Sequence, residues 1–181
     1  MKKDIIYKVL GSIGPEGHRT KWLLKYQIQQ GLTLGENTHY FSNVLIGEPY
    51  LVSIGSNSTV SANVCFLTHD ASIGAIGDRN IYSDLCGKIT VGNKCFIGYG
   101  SIILYGVSIP DNVIVAAGSV VTRSVEQSGV VIGGNPAKVI CTVQELLKKR
   151  VGNMLSLHGK TFLERKEIIL GNEDKLINKR Y

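Results

Sequence analysis

Few residues of this 181-residue chain are equipped for chemistry, and one histidine stands apart from the other three. Of His18, His39, His69 and His158, only His69 sits where a regular apolar pattern stops, in Leu67-Thr68-His69-Asp70. Near neutral pH an imidazole takes a proton from a hydroxyl or amine and then returns it. His69 is therefore the candidate general base, and Asp70, its neighbour in sequence, the candidate orienting carboxylate. A three-histidine metal site needs a closely spaced pair. The nearest pair here, His18 and His39, is 21 residues apart, so no metal is expected. The four cysteines, Cys65, Cys86, Cys95 and Cys141, are spaced 21, 9 and 46 residues apart with no CxxC pair. They read as small buried hydrophobes in a reducing compartment. Cys65 is the rival nucleophile, but it falls within a repeat and reads as a core residue.

The element that must position His69 has a period of six. Val91, Ile97, Ile103, Ile109, Val115 and Val121 occupy every sixth position, and most are followed by a small residue or proline: Gly92, Gly98, Pro110, Ala116. Ile54, Val60 and Phe66 form an earlier run, and Ile28, Leu34, Tyr40 and Ile46 a weaker one. A helix needs spacings of three and four, and a plain strand alternates at two. Six suits a very short strand plus a turn. Three such units close a triangular coil of about 18 residues whose branched side chains stack inside, as in solenoid proteins. The chain is expected to be an all-β solenoid. The step from Ile46 to Ile54 is eight, which places an outward bulge at Glu48-Pro49-Tyr50. The step from Phe66 to Val91 is 25, and residues 69–87 lose their apolar order, so a loop is expected to leave the stack there.

The ends differ. Residues 19–30 predict a short helix with Trp22, Leu23, Tyr26 and Gln30 near one face, ended by Gly31 and capping the stack. Thr142-Val143-Gln144-Glu145 has capping-box spacing and opens a helix to about Leu157, with Val143, Leu146, Leu147 and Val151 as its apolar stripe. A further short helix is expected around Leu163–Leu170. The organisation is thus an amino-terminal segment 1–30, a solenoid 31–141 with its loop at 69–87, and a helical extension 142–181. No run of about 18 apolar residues exists, so no transmembrane segment is expected, and the amino terminus lacks a secretory pattern, which points to the cytoplasm. The net charge is +6, with most of the excess after Pro136. A basic surface attracts phosphorylated ligands or anionic polymers. Lys148-Lys149-Arg150 is the densest patch, but no aromatic interleaving accompanies it, so no nucleic-acid partner is expected.

Two segments carry a family resemblance. Ser61-Ala62-Asn63-Val64-Cys65-Phe66-Leu67-Thr68-His69 resembles the coil edge that leads to a catalytic histidine. Ala116-Ala117-Gly118-Ser119-Val120-Val121-Thr122-Arg123, then Gly134-Asn135-Pro136-Ala137-Lys138-Val139-Ile140, resembles the closing signature of the same group. The chain thus resembles, over roughly residues 31–141, the hexapeptide-repeat acyltransferases, particularly the sugar O-acetyltransferase branch with maltose, galactoside and capsular polysaccharide acetyltransferases.

The resemblance implies a left-handed parallel β-helix, a homotrimer with active sites between neighbouring subunits, and acetyl-CoA held in a groove along the solenoid. It implies direct attack of an acceptor hydroxyl on the thioester, with His69 as base. Gly98, Ser101, Ala116, Ala117 and Ser119 are then expected along the pantetheine arm, although Gly98 and Gly100 read equally as packing positions. Thr122, Arg123 and Lys138 are expected toward the nucleotide end, where cations and hydroxyls meet phosphate oxygens. On the acceptor side, Gly35 and Asn43 reproduce a glycine–asparagine interval of galactoside-type enzymes, which assigns Asn43 to a sugar hydroxyl. The acidic residue those enzymes carry eight positions on is Leu51 here, so Glu48 or Asp70 is expected to replace it, and Tyr82 in the loop joins the acceptor-side candidates. The leading expectation is O-acetylation of a carbohydrate, glycan precursor or nucleotide sugar. The alternatives are N-acetylation of an amino sugar or a chloramphenicol-like xenobiotic, and a non-enzymatic polysaccharide-binding scaffold.

Overall fold

A computed structural model describes residues 16–76 and 83–179, with side chains from Thr20 onward. The chain enters through helix α1 (Glu16–Gln29), which ends at Gly31. Gly31 has φ +100°, and a Cβ there would meet Tyr50 Cβ at 2.7 Å, so both its conformation and its close contact require glycine. The buried face of α1 differs from the sequence expectation: Leu23 and Gln27 are buried, whereas Trp22 and Tyr26 are only half-buried. Gln27 Oε1 accepts the Ile46 N–H at 2.8 Å, joining α1 to the first coil through one fully buried amide.

Four coils follow. The first carries β1 (Thr33–Leu34) and β2 (His39–Tyr40), and the second β3 (Val52–Ile54), β4 (Thr59–Val60) and β5 (Cys65–Leu67). An excursion then leaves through β6 (His69–Asp70) and α2 (Ser72–Ile76) and returns through β7 (Leu85–Cys86). The third coil has β8 (Ile89–Val91), β9 (Phe96–Ile97) and β10 (Ile102–Leu104), and the fourth β11 (Ser108–Ile109), β12 (Ile114–Val115) and β13 (Val120–Val121). A hairpin of β14 (Val130–Gly134) and β15 (Ala137–Thr142) closes the stack.

The coils build three parallel sheets, in the orders β1-β3-β8-β11, β2-β4-β9-β12-β14-β15 (its last pair antiparallel) and β5-β10-β13. Each inward residue sits over its counterpart: Leu34, Ile54, Val91 and Ile109 on the first sheet, Tyr40, Val60, Ile97, Val115 and Ile132 on the second, and Phe66, Ile103 and Val121 on the third. Nearly all of these are buried, so the six-residue period is the core itself. Each buried Val or Ile contributes about 1.5–3 kcal/mol. Ile28 is the exception among the periodic positions, since it belongs to α1 and is exposed. The bulge between Ile46 and Ile54 is a 3-10 turn at Pro49–Leu51.

The corners explain the small residues. A Cβ on Gly98 would lie 2.5 Å from Ala117 N in the coil above, so the backbone there tolerates no side chain. Ser42, Ser58, Ser101 and Ser119 are buried, and their hydroxyls bond to carbonyls of Val64, Gly92 and Ala116. Each of these polar groups is thereby satisfied inside an apolar prism.

The solenoid unit ends at Val143, and a second compact unit runs from Gln144 onward. It begins in α3 (Val143–Arg150), which gives way to a 3-10 turn at Val151–Asn153, so the helix is shorter than the sequence suggests. Val151, Gly152 and Asn153 are all weak helix formers. Helix α4 (Phe162–Leu170) starts on a reciprocal capping box between Thr161 and Glu164.

Gly98→Ala is expected to cost about 1–3 kcal/mol through overpacking, measured as a lower denaturant midpoint with an unchanged slope.

Candidate active site

His69 stands at the corner where the third sheet turns back to the first. Residues at this corner stack in register. Leu104 pairs with Leu67 and Ile103 with Val121, which places Tyr105 over Thr68 and Arg123 over Tyr105. Glu48 lies beneath, because the first and second coils repeat at twenty residues. Glu48 Oε2 accepts from the Thr68 hydroxyl and lies 2.8 Å from His69 Nδ1, while the Glu48 N–H donates to Thr68 Oγ1.

A carboxylate only accepts, so Nδ1 carries the hydrogen and Nε2 keeps its lone pair. The hydrogen bond and charge of Glu48 raise the His69 pKa above the ordinary imidazole value. The Thr68 and His69 hydrogen bonds hold Glu48 below the usual carboxylate range. Gly47 leaves room beneath the ring: a Cβ there would come within 3.1 Å of His69 Cε1.

The orienting carboxylate is therefore Glu48 and not Asp70. Neighbours along a strand face opposite ways. Asp70 Oδ1 accepts the Ser72 N–H at 2.8 Å, and Oδ2 accepts the Tyr105 hydroxyl at 3.2 Å. Asp70 thus fastens the start of the excursion to the third coil. Glu48, expected to hold the acceptor, has one oxygen committed to Thr68 and His69. Its role left one sequence signal: the eight-residue step after Ile46 lengthens the coil to twenty residues and drops Glu48 under Thr68.

The base of the excursion is closed by the antiparallel pairing of His69 with Cys86 and by the Gly87 N–H to Thr68 O bond at 3.1 Å. Tyr82 lies outside the described residues. Asn43 is exposed at the corner between the second and third sheets, a full side of the prism from His69 within one chain. Gly98, Ala116 and Ala117 lie at that same corner. Ser101 and Ser119, expected to border a ligand, are buried with their hydroxyls bonded inside the corner, so their side chains face no groove. Cys65 flanks the inward Phe66 and is half-buried on the outer face, which corrects its reading as a core residue.

Two hollows adjoin the His69 corner. A cleft of about 430 Å³ lies by the fourth coil and the closing hairpin, with Arg123 and Lys138 on its walls beside Val121, Val125, Glu126 and Val139. A recess of about 250 Å³ lies on the first-coil side of His69. Thr122 is exposed next to Arg123. Among the described residues, no group of three or more His, Cys, Asp or Glu is placed to hold a metal, and no helix is long and apolar enough to cross a membrane.

The arrangement can be set beside known proteins. The hexapeptide repeat of succinyl-transferase matches residues 88–123. Protein CapG of Staphylococcus aureus is 36% identical over 126 residues, 68% of this chain and 73% of that protein. The galactoside O-acetyltransferase of Escherichia coli is 32% identical over 149 residues, 80% of this chain and 70% of that enzyme. The hexapeptide-repeat acetyltransferase VCA0836 of Vibrio cholerae, solved with acetyl coenzyme A, superposes with a TM-score of 0.59 at 21% identity, covering 78% of this chain and 85% of that one. The three stacked parallel sheets are the left-handed β-helix of that fold, and the chain belongs to the hexapeptide-repeat acetyltransferase family of acyltransferases.

Proposed function

We propose that the protein transfers an acetyl group from acetyl-CoA to a hydroxyl of a sugar-containing acceptor, with His69 as general base. The observation that carries this reading is the Glu48–His69 pair, which fixes the ring by Nδ1 and leaves Nε2 open as a proton acceptor. As the acceptor oxygen attacks the thioester carbon, its proton passes to Nε2. When the tetrahedral intermediate collapses, the carbon–sulfur bond breaks and the imidazolium returns that proton to the leaving thiolate. A sugar hydroxyl is too weak an acid to ionise first, so the proton must leave during attack, which is typically worth about 10²–10⁴-fold in rate. Glu48 is a positioning residue that favours the imidazolium formed on the way.

The donor's phosphates fit the cleft that holds Arg123 and Lys138, two coils from His69, or about 10 Å at the spacing of adjacent strands. Thr122, beside Arg123, is assigned to the donor's nucleotide end, and Gly98, Ala116, Ala117 and Asn43 are assigned to donor and acceptor through a second copy. Gly98, Ala116, Ala117 and Asn43 occupy one corner of the prism and His69 another, so they face one groove only when unlike corners of two copies meet. A homotrimer provides that meeting. The outer face of the third sheet supports it, since Ile102 and Val120 flank inward residues on the third and fourth coils and leave an apolar surface there. The O-acetyltransferase activity of the galactoside-type relative points to the same reaction class.

Four outcomes test the proposal. His69→Ala is expected to lower kcat by about 10²–10⁴-fold in a thiol-release assay, with coenzyme A binding and assembly unchanged; normal turnover removes His69 from the role. The rate is expected to rise with pH through a midpoint above the ordinary histidine value of about 6.5, because the carboxylate favours the cation and the base form appears only at higher pH. Glu48→Gln is expected to move that midpoint down and lower kcat, and an unshifted profile dismisses the pair. Light scattering is expected to give about three times the 19.7 kDa chain mass.

A further inference from the structure

The recess on the first-coil side of His69 has a chemistry of its own. It is lined by Leu45, Gly47, Cys65, Phe66, Leu67, Thr68 and His69. Leu45 and Leu67 are 47% and 42% exposed, an unusual amount of aliphatic surface beside a reactive imidazole. The polar groups within it are already committed. Thr68 is 2% exposed and its hydroxyl is bonded to Glu48, and Glu48 Oε2 is shared between Thr68 and His69. Among the lining side chains, what remains to meet a ligand is the His69 ring with its unbonded Nε2, beside aliphatic and thiol walls. The absence of a Cβ on Gly47 keeps the recess open to the underside of the ring.

Its position decides which substrate it receives. The cationic cleft lies toward the fourth coil, on the opposite side of His69. Under the acetyl-transfer reading, on which this inference rests, the donor approaches from the phosphate-binding side, and the first-coil side is left to the acceptor. At about 250 Å³ the recess is smaller than the usual pocket for a drug-sized ligand, about 300–1,000 Å³. It suits one sugar ring and not an extended chain. A copy packed on the outer face of the third sheet would roof it and exclude water.

A fully hydroxylated hexose placed there loses water from its primary hydroxyl without gaining a partner. A ring carrying a methyl group at that position loses nothing and covers Leu45 and Leu67. We infer that the recess selects a 6-deoxyhexose acceptor, its methyl group against Leu45, Leu67 and Cys65 and a ring hydroxyl at His69 Nε2. Leu45 and Leu67 are then the specificity-determining residues.

The test uses the full chain, acetyl-CoA and matched acceptor pairs: D-galactose with 6-deoxy-D-galactose and D-glucose with 6-deoxy-D-glucose, each as the methyl glycoside and as the nucleoside-diphosphate sugar. The 6-deoxy member is expected to be favoured about 10–100-fold in kcat/KM. Leu67→Gln, and separately Leu45→Gln, are expected to reduce that ratio at least about threefold with KM for acetyl-CoA unchanged, each checked for retained assembly by light scattering. Equal rates on both members of a pair, preference for the hydroxylated member, or a ratio untouched by both variants overturns the deoxy-sugar inference and leaves acetyl transfer standing. Thiol release with none of the acceptors, by a chain that still binds coenzyme A, overturns the sugar-acceptor reading and this inference together.

Discussion

The fixed vertical spacing between coils governs everything at the site. Parallel strands bond at about 4.8 Å, so a residue at one corner has its nearest neighbours directly above and below, in coils 18 or 20 residues away in sequence, or 37 where the excursion intervenes. Glu48, Thr68, Tyr105 and Arg123 form such a column. A hydrogen bond between Glu48 and His69 therefore requires only that the first coil end in register with the second. The burial of Ile46 beneath Phe66 enforces that register, because slipping either coil by one residue would turn its inward side chains out. The Glu48–His69 pair is held by the core, with no dedicated scaffold.

This economy decides what could be read from sequence. The inward residues were legible because each contributes the same signal to one long period: Val91 through Val121 are six independent statements of one geometry. The Glu48–His69 pair contributes a single coincidence across 21 positions, interrupted by a proline turn. Asp70 looked better placed because chain adjacency is visible, but adjacency along a strand sends side chains to opposite sides, and Asp70 reaches Tyr105 instead. Ser101 and Ser119 misled for a related reason. Their motif is real, yet a hydroxyl beside a tight corner is captured by the nearest carbonyl before any ligand arrives. Gln27 left no signal, since a buried amide on an amphipathic helix looks like a surface residue until Ile46 is seen to need an acceptor.

The excursion shows the complementary problem. Leaving the stack frees backbone groups that the neighbouring coil would otherwise bond, and each must find a partner or water. Thr68 O takes the Gly87 N–H, β6 pairs with β7, and Asp70 takes both the Ser72 N–H and the Tyr105 hydroxyl. These bonds close the excursion at its base, immediately beside the imidazole. Residues that serve this closure are thus concentrated at the candidate site without touching the chemistry, which is why proximity to His69 alone does not identify a catalytic partner.

The direction of the Glu48 bond carries one more consequence. A carboxylate under the ring raises the pKa of the imidazole, which makes the free base scarcer near neutrality but makes each neutral imidazole a stronger base. The two effects oppose each other, and the balance favours the carboxylate when the proton to be moved belongs to a very weak acid. For a sugar hydroxyl the driving force of proton transfer is the limiting quantity, and an imidazolium stabilised by a neighbouring charge lowers the barrier at the moment the alkoxide character develops. For an amine acceptor, which attacks as a neutral nucleophile and sheds its proton after bonding, the same carboxylate would bring less advantage. Under the proposed reading, a histidine tethered in this way suits an oxygen acceptor, whose proton must move as the new bond forms.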